Sequence, residues 1–175
     1  MLCLSKLPRD ALAEIGSFAF LRRESYVLSW SRNEAWAIVL DAAMDVYRDI
    51  LKENRSAKRW KRRQEALRAL VALGGNRAFV DIVKRLKIER LQCVKETCIE
   101  CIVNIAIIKK NNQAIKVLAE SYLVDCKQYD VRAAIVRACA KLAQHGFDEI
   151  LKREFTHRGV LPLPWLIQKV ESRGN

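Results

Sequence analysis

An all-α fold, a short right-handed solenoid of antiparallel helix pairs, is predicted by three observations. One amphipathic helix pattern returns three times, at residues 62–74, 94–106 and 131–143, with start-to-start spacings of 32 and 37 residues. That is the range in which internal repetition signals stacked helical units. Each copy is followed by a second stretch with apolar residues near the helical period of 3.6. Finally, only 6 Gly and 3 Pro punctuate a chain that is 51% apolar and 30% charged, too few for the regularly spaced turns of an all-β sandwich. At 175 residues the chain suits a single helical domain with a sizeable core.

Laying the three copies together places Leu67, Ile99 and Val136 in one column, Leu70, Ile102 and Cys139 in a second, and Leu73, Ile105 and Leu142 in a third. Ala69, Cys101 and Ala138 form a column of small residues, and a basic residue holds the second position of every copy as Arg63, Lys95 and Arg132. A unit with one apolar face cannot bury it alone, so neighbouring copies are expected to stack.

In chain order, residues 1–54 form an N-terminal helical region. Ser5 and Pro8 suit a helix start, and Leu7, Leu12, Ile15 and Phe18 follow at helical intervals, with Gly16 weakening the middle. Ser31 and Glu34 have the spacing of a capping box. The helix after them is expected to run to about Asn54, burying Trp36, Val39, Leu40, Ala43, Val46, Tyr47 and Ile50. Residues 55–158 hold the three repeats. RSAKRWKRR at 55–63 is either a loop or the basic first turns of the next helix. The first repeat continues as a helix over 61–73, a stop at Gly74 and Gly75, and a second helix from 76 to about 87 carrying Phe79, Ile82, Val83 and Leu86. Ile115, Leu118, Ala119 and Tyr122 repeat those offsets, and Phe147, Ile150, Leu151 and Phe155 nearly do. Residues 159–175 break the pattern. Pro162 and Pro164 hold an extended segment, and Trp165, Leu166, Ile167 and Val170 offer an apolar face suited to a C-terminal cap.

The repeats resemble those of HEAT proteins, armadillo-like solenoids whose first helix often opens Asp-Val-Arg followed by small and aliphatic residues. Asp130-Val131-Arg132 followed by AAIVRACAKLAQHG carries the likeness best. Cys93-Val94-Lys95 keeps two of those three residues by type, and the first copy keeps only the basic one. The resemblance spans about residues 60–158 and implies a partner-binding surface lined by second helices, for protein or nucleic acid. It also implies a ladder in which Arg132 pairs with a neighbouring Asp, for which Asp130 is suitably placed. At residues 7–18 the sequence LPRDALAEI resembles the opening of an F-box, while its closing pattern departs from that family beyond Phe18.

Charge narrows the function. The net charge of +12 divides as −1 over residues 1–54, +9 over 55–93, 0 over 94–130 and +4 over 131–175. One electropositive region is therefore expected rather than a generally basic surface. Its residues are Lys58, Arg59, Trp60, Lys61, Arg62, Arg63, Arg77, Lys84 and Arg85. Such a cluster suits an acidic protein or peptide partner. The alternative is DNA or RNA, whose phosphates reward dense Lys and Arg and whose bases stack on an exposed Trp. Trp60 is equally compatible with a place in the core.

No Gly-rich phosphate loop, nucleophile elbow or zinc-protease motif occurs, and His145 and His157 stand near repeat loops without a nucleophile at motif spacing. The chain is therefore read as non-catalytic, with no cofactor or metal implied. A base-excision glycosylase of HEAT-like fold is the enzymatic alternative. Cys98 and Cys101 form CxxC, yet they share columns with Ala66, Ile135, Ala69 and Ala138, so buried thiols are expected in place of ligands. No apolar run is long enough for a membrane span and no secretory signal opens the chain. A soluble intracellular protein, cytoplasmic or nuclear, is expected.

Overall fold

The structure, a computed structural model, describes residues 34–52, 59–124 and 128–159. The expectations for the N-terminal 33 residues, for Lys58 and for the tail beyond residue 159 lie outside them. The described residues form seven helices and no strand: α1 (Glu34–Lys52), α2 (Trp60–Gly74), α3 (Asn76–Ile88), α4 (Gln92–Lys109), α5 (Gln113–Val124), α6 (Tyr129–Ala143) and α7 (Asp148–His157). Two compact units divide between Ala78 and Phe79.

In the first unit α1 packs against α2. Val39, Ala43, Met44 and Leu51 bury against Ala66, Leu67 and Leu70. The α1 face is rotated from the expected one, because Met44 and Leu51 are buried while Val46 is 39% exposed. Gly74 explains how Met44 fits: a methyl group at position 74 would come within 2.5 Å of Met44 Cε and 2.8 Å of its Sδ. Gly75 then stops α2 with φ 50° and ψ −118°, its N–H donating to the Val71 carbonyl at 3.0 Å. Residues with a Cβ avoid that combination, so the glycine is required by the turn.

In the second unit α4 packs on α6 and α5 on α7, while α5 also touches α4 and α6, and α7 touches α6. Ile99, Ile102 and Ile105 from α4, Ile115 and Leu118 from α5, Ile135 and Leu142 from α6, and Leu151 and Phe155 from α7 are buried. Full burial of each such large side chain stabilises by roughly 1.5–3 kcal/mol before entropy is counted. The α4 helix ends where Lys110 takes the left-handed conformation, φ 51° and ψ 41°, after which Asn111 Oδ1 accepts from the N–H of Gln113 and starts α5. Gly146, at φ 81°, makes the turn from α6 into α7.

Three long-range side-chain hydrogen bonds tie the helices of this unit together. Lys95, near the start of α4, donates to Gln128, the residue before α6, at 3.2 Å. Asn104, further along α4, accepts from Lys141 near the end of α6 at 3.3 Å. Glu120 of α5 accepts from Arg158, just beyond α7, at 3.0 Å. The aligned columns are interior: Leu67, Ile99, Val136, Leu70, Ile102, Cys139, Ile105 and Leu142 are buried, and Leu73 is half-buried.

Candidate functional site

Helix α2 opens without an acidic residue in its first turn and without a side-chain cap. Arg59, Lys61 and Arg62 instead surround its start, all exposed, and Trp60 is half-buried among them. Cations beside the positive end of a helix dipole are unfavourable by a few tenths of a kcal/mol each, up to about 1. Lys61 Nζ lies 5.5 Å from the Trp60 ring centroid, a cation–π contact at the surface. Arg77 is exposed and its Nη1 pairs with Asp41 Oδ1 at 3.3 Å, which neutralises it as a free charge.

Two predicted surface residues prove to be interior. Arg63 is 3% exposed and Arg85 4%, so neither presents its charge to a partner. The guanidinium of Arg85 bonds Glu89, one helical turn on, through Nε at 2.9 Å and through Nη2. The other carboxylate oxygen of Glu89 accepts from the backbone N–H groups of Arg90 at 2.9 Å and Leu91 at 3.0 Å. Glu89 is 6% exposed; burial raises its pKa, but the bonds from Leu91, Arg85 and Arg90 outweigh that and hold the carboxyl below its ordinary value. This buried cluster fixes the corner between α3 and α4.

On the outer side of α3 the expected Lys84 is at the surface, and what the charge count missed is the aliphatic company it keeps. Lys84, Lys87 and Arg90 are exposed and form no ion pair among the described residues. Between and beside them stand two exposed aliphatics, Val80 at 54% and Ile88 at 62%. The sequence signal was available, since neither residue belongs to the inward column of Phe79, Ile82, Val83 and Leu86.

The basic column points inward. Lys95 is buried against Gln128, and Arg132 lies over the Tyr122 ring at 4.6 Å while donating to its hydroxyl at 2.7 Å. Where the repeat pattern led to an expected pairing with Asp130, the described contact of Arg132 is with Tyr122. Asp130 is exposed and makes no ion pair among the described residues.

Cys98, Cys101 and Cys139 are buried as expected, and Cys93 is half-buried. Burial pushes the Cys139 thiol up to about 12 and raises Cys98 further, which makes both poor nucleophiles. Among the described residues no three His, Cys, Asp or Glu side chains gather as metal ligands do. His145 and His157 are exposed. No described helix is long and apolar enough to cross a membrane.

Set against known proteins, the chain matches no family model, no curated protein and no solved structure.

Proposed function

We propose that this chain is a non-catalytic helical-repeat module that holds an acidic protein partner on its basic surface. The observation that carries the reading is exposed positive charge within each compact unit: Arg59, Lys61 and Arg62 stand exposed at the start of α2 in the first, and Lys84 and Lys87 stand exposed on α3 in the second. The repeat reading underlies the proposal. Lys95 with Gln128 and Asn104 with Lys141 join start to start and end to end along α4 and α6, which supports successive helix pairs stacked in one direction as in a HEAT-like solenoid. The half-exposed Trp60 beside Lys61 favours a second reading, a nucleic-acid surface.

The two separate by binding across a salt series with labelled acidic peptides, single-stranded RNA and duplex DNA. Under the proposal, acidic peptides bind the intact chain and the variant R59E/K61E/R62E binds them more weakly with a flatter salt dependence, its helical content unchanged. Tight binding of nucleic acid alone, lost in the same variant, establishes the second reading in its place.

A further inference from the structure

Helix α3 buries Phe79, Ile82 and Leu86 and turns Arg85 inward to Glu89. Its opposite side carries Val80, Lys84, Lys87 and Ile88, all exposed. Their spacing of four, seven and eight residues from Val80 sets them on one helical face, and the two aliphatics stand about 12 Å apart along the axis. Neither aliphatic contributes to the core. The nearest carboxylates in sequence do not neutralise the strip: Glu89 is committed to Arg85 and two amides, and Asp81 is half-buried.

Charge complementarity decides the occupant. A second copy brings lysines against lysines. Residues 1–33 hold five basic and three acidic groups, and 160–175 hold two and one, so both ends of the chain carry the same sign of net charge as the strip. Nucleic acid satisfies Lys84 and Lys87 but leaves Val80 and Ile88 facing a polar backbone. A lipid surface calls for a broad apolar face with aromatic anchors, which two aliphatics do not provide. We infer that the outer face of α3 docks a segment of another polypeptide in which two aliphatic side chains, about two helical turns apart, bracket carboxylates. They meet Val80 and Ile88 while the carboxylates meet Lys84 and Lys87, as an amphipathic segment laid along a helix does. The inference rests on the interaction-module reading and names the partner's chemistry on one helix.

The test uses the full chain and two labelled synthetic helical peptides of equal charge. One has two leucines eight positions apart with glutamates between them, and the other has serines in place of the leucines. Duplex DNA and vesicles of phosphatidylcholine with phosphatidylserine serve as polyanion and membrane probes. The leucine peptide is expected to bind at least about tenfold tighter than the serine peptide. V80S/I88S removes that difference, and K84E/K87E weakens both peptides, with unfolding midpoints of both variants close to wild type because these side chains are exposed. Equal binding of the two peptides, indifference of the leucine peptide to V80S/I88S, or binding of DNA or vesicles alone overturns the inference. If R59E/K61E/R62E abolishes peptide binding while both α3 variants retain it, the docking strip is wrong and the interaction module stands. If no acidic probe binds at all, both fail.

Discussion

Replacing Glu89 by alanine is expected to be among the most damaging single changes in the described part of the chain. The substitution leaves Arg85, 4% exposed, as a buried cation without its carboxylate, and it orphans the amides of Arg90 and Leu91. Breaking one side of a buried ion pair costs about 3–5 kcal/mol, and each backbone donor left short of a partner costs on the order of 1 kcal/mol where water cannot replace it. About 4 kcal/mol is therefore expected, which at a urea slope of about 2 kcal/mol/M moves the unfolding midpoint by about 2 M. R85M/E89M, which removes both charges and keeps volume, is expected to cost about 1–2 kcal/mol, mainly for the two amides. The double change is thus milder than Glu89→Ala alone. Urea unfolding followed by circular dichroism reads all three proteins. The pair also makes stability depend on acid. The folded carboxyl sits below its ordinary value of 4.5, so its contribution is complete above that pH and is lost as pH falls through the lower, folded value. A Glu89→Ala midpoint within about 0.2 M of wild type, or a double variant less stable than Glu89→Ala, refutes the account of this corner.

Gly75→Ala is expected to cost about 1–3 kcal/mol through backbone strain at φ 50° and ψ −118°, read as a drop in melting temperature. Leu118→Ala, at a site with no exposure, is expected to cost about 2–5 kcal/mol, whereas Cys101→Ala costs under about 1.5, both by urea unfolding. In a chain with Cys3 and Cys126 changed to serine, a thiol reagent near neutral pH is expected to modify Cys93 readily and to reach Cys98 and Cys139 only on unfolding. Tyr122→Phe, which keeps the ring under Arg132 and removes the hydroxyl acceptor, is expected to cost about 1 kcal/mol.

Much of the helix layout was legible because three copies constrain one another. The second-helix offsets placed Phe79, Ile82 and Leu86, then Ile115, Leu118 and Tyr122, then Phe147, Leu151 and Phe155, and all of these are buried. Helix ends were legible where a residue type dictates them, as at Gly75. The face of α1 was less so. It has no copy to align with, and successive residues differ by about 100° around the axis, so apolar periodicity alone admitted Val46 and passed over Met44. The pocket for Met44 exists because Gly74 lacks a side chain, and a contact between separate helices leaves no local trace in either one.

Which basic side chains reach the surface was legible only in part, because counting charge treats every Arg and Lys as solvated. Arg85 is the clearest failure, although the signal was local: Glu89 stands four residues on, the spacing of a helical ion pair. The repeat alignment holds a more general discriminator. The position shared by Arg63, Lys95 and Arg132 keeps its basic character through all three copies, and its members are buried or half-buried, with Lys95 reaching Gln128 and Arg132 reaching Tyr122. Long side chains there bury their stems and satisfy their heads inside the fold. Outward columns behave oppositely. The column of Val80 continues as Lys116 and Asp148, the column of Lys84 continues as Glu120 and Lys152, and all six are exposed. Stacking requires the same chemistry of every copy, while recognition requires it of only one. The charge that recurs at a fixed place in each copy is thus buried or half-buried, and the places whose chemistry changes from copy to copy are exposed.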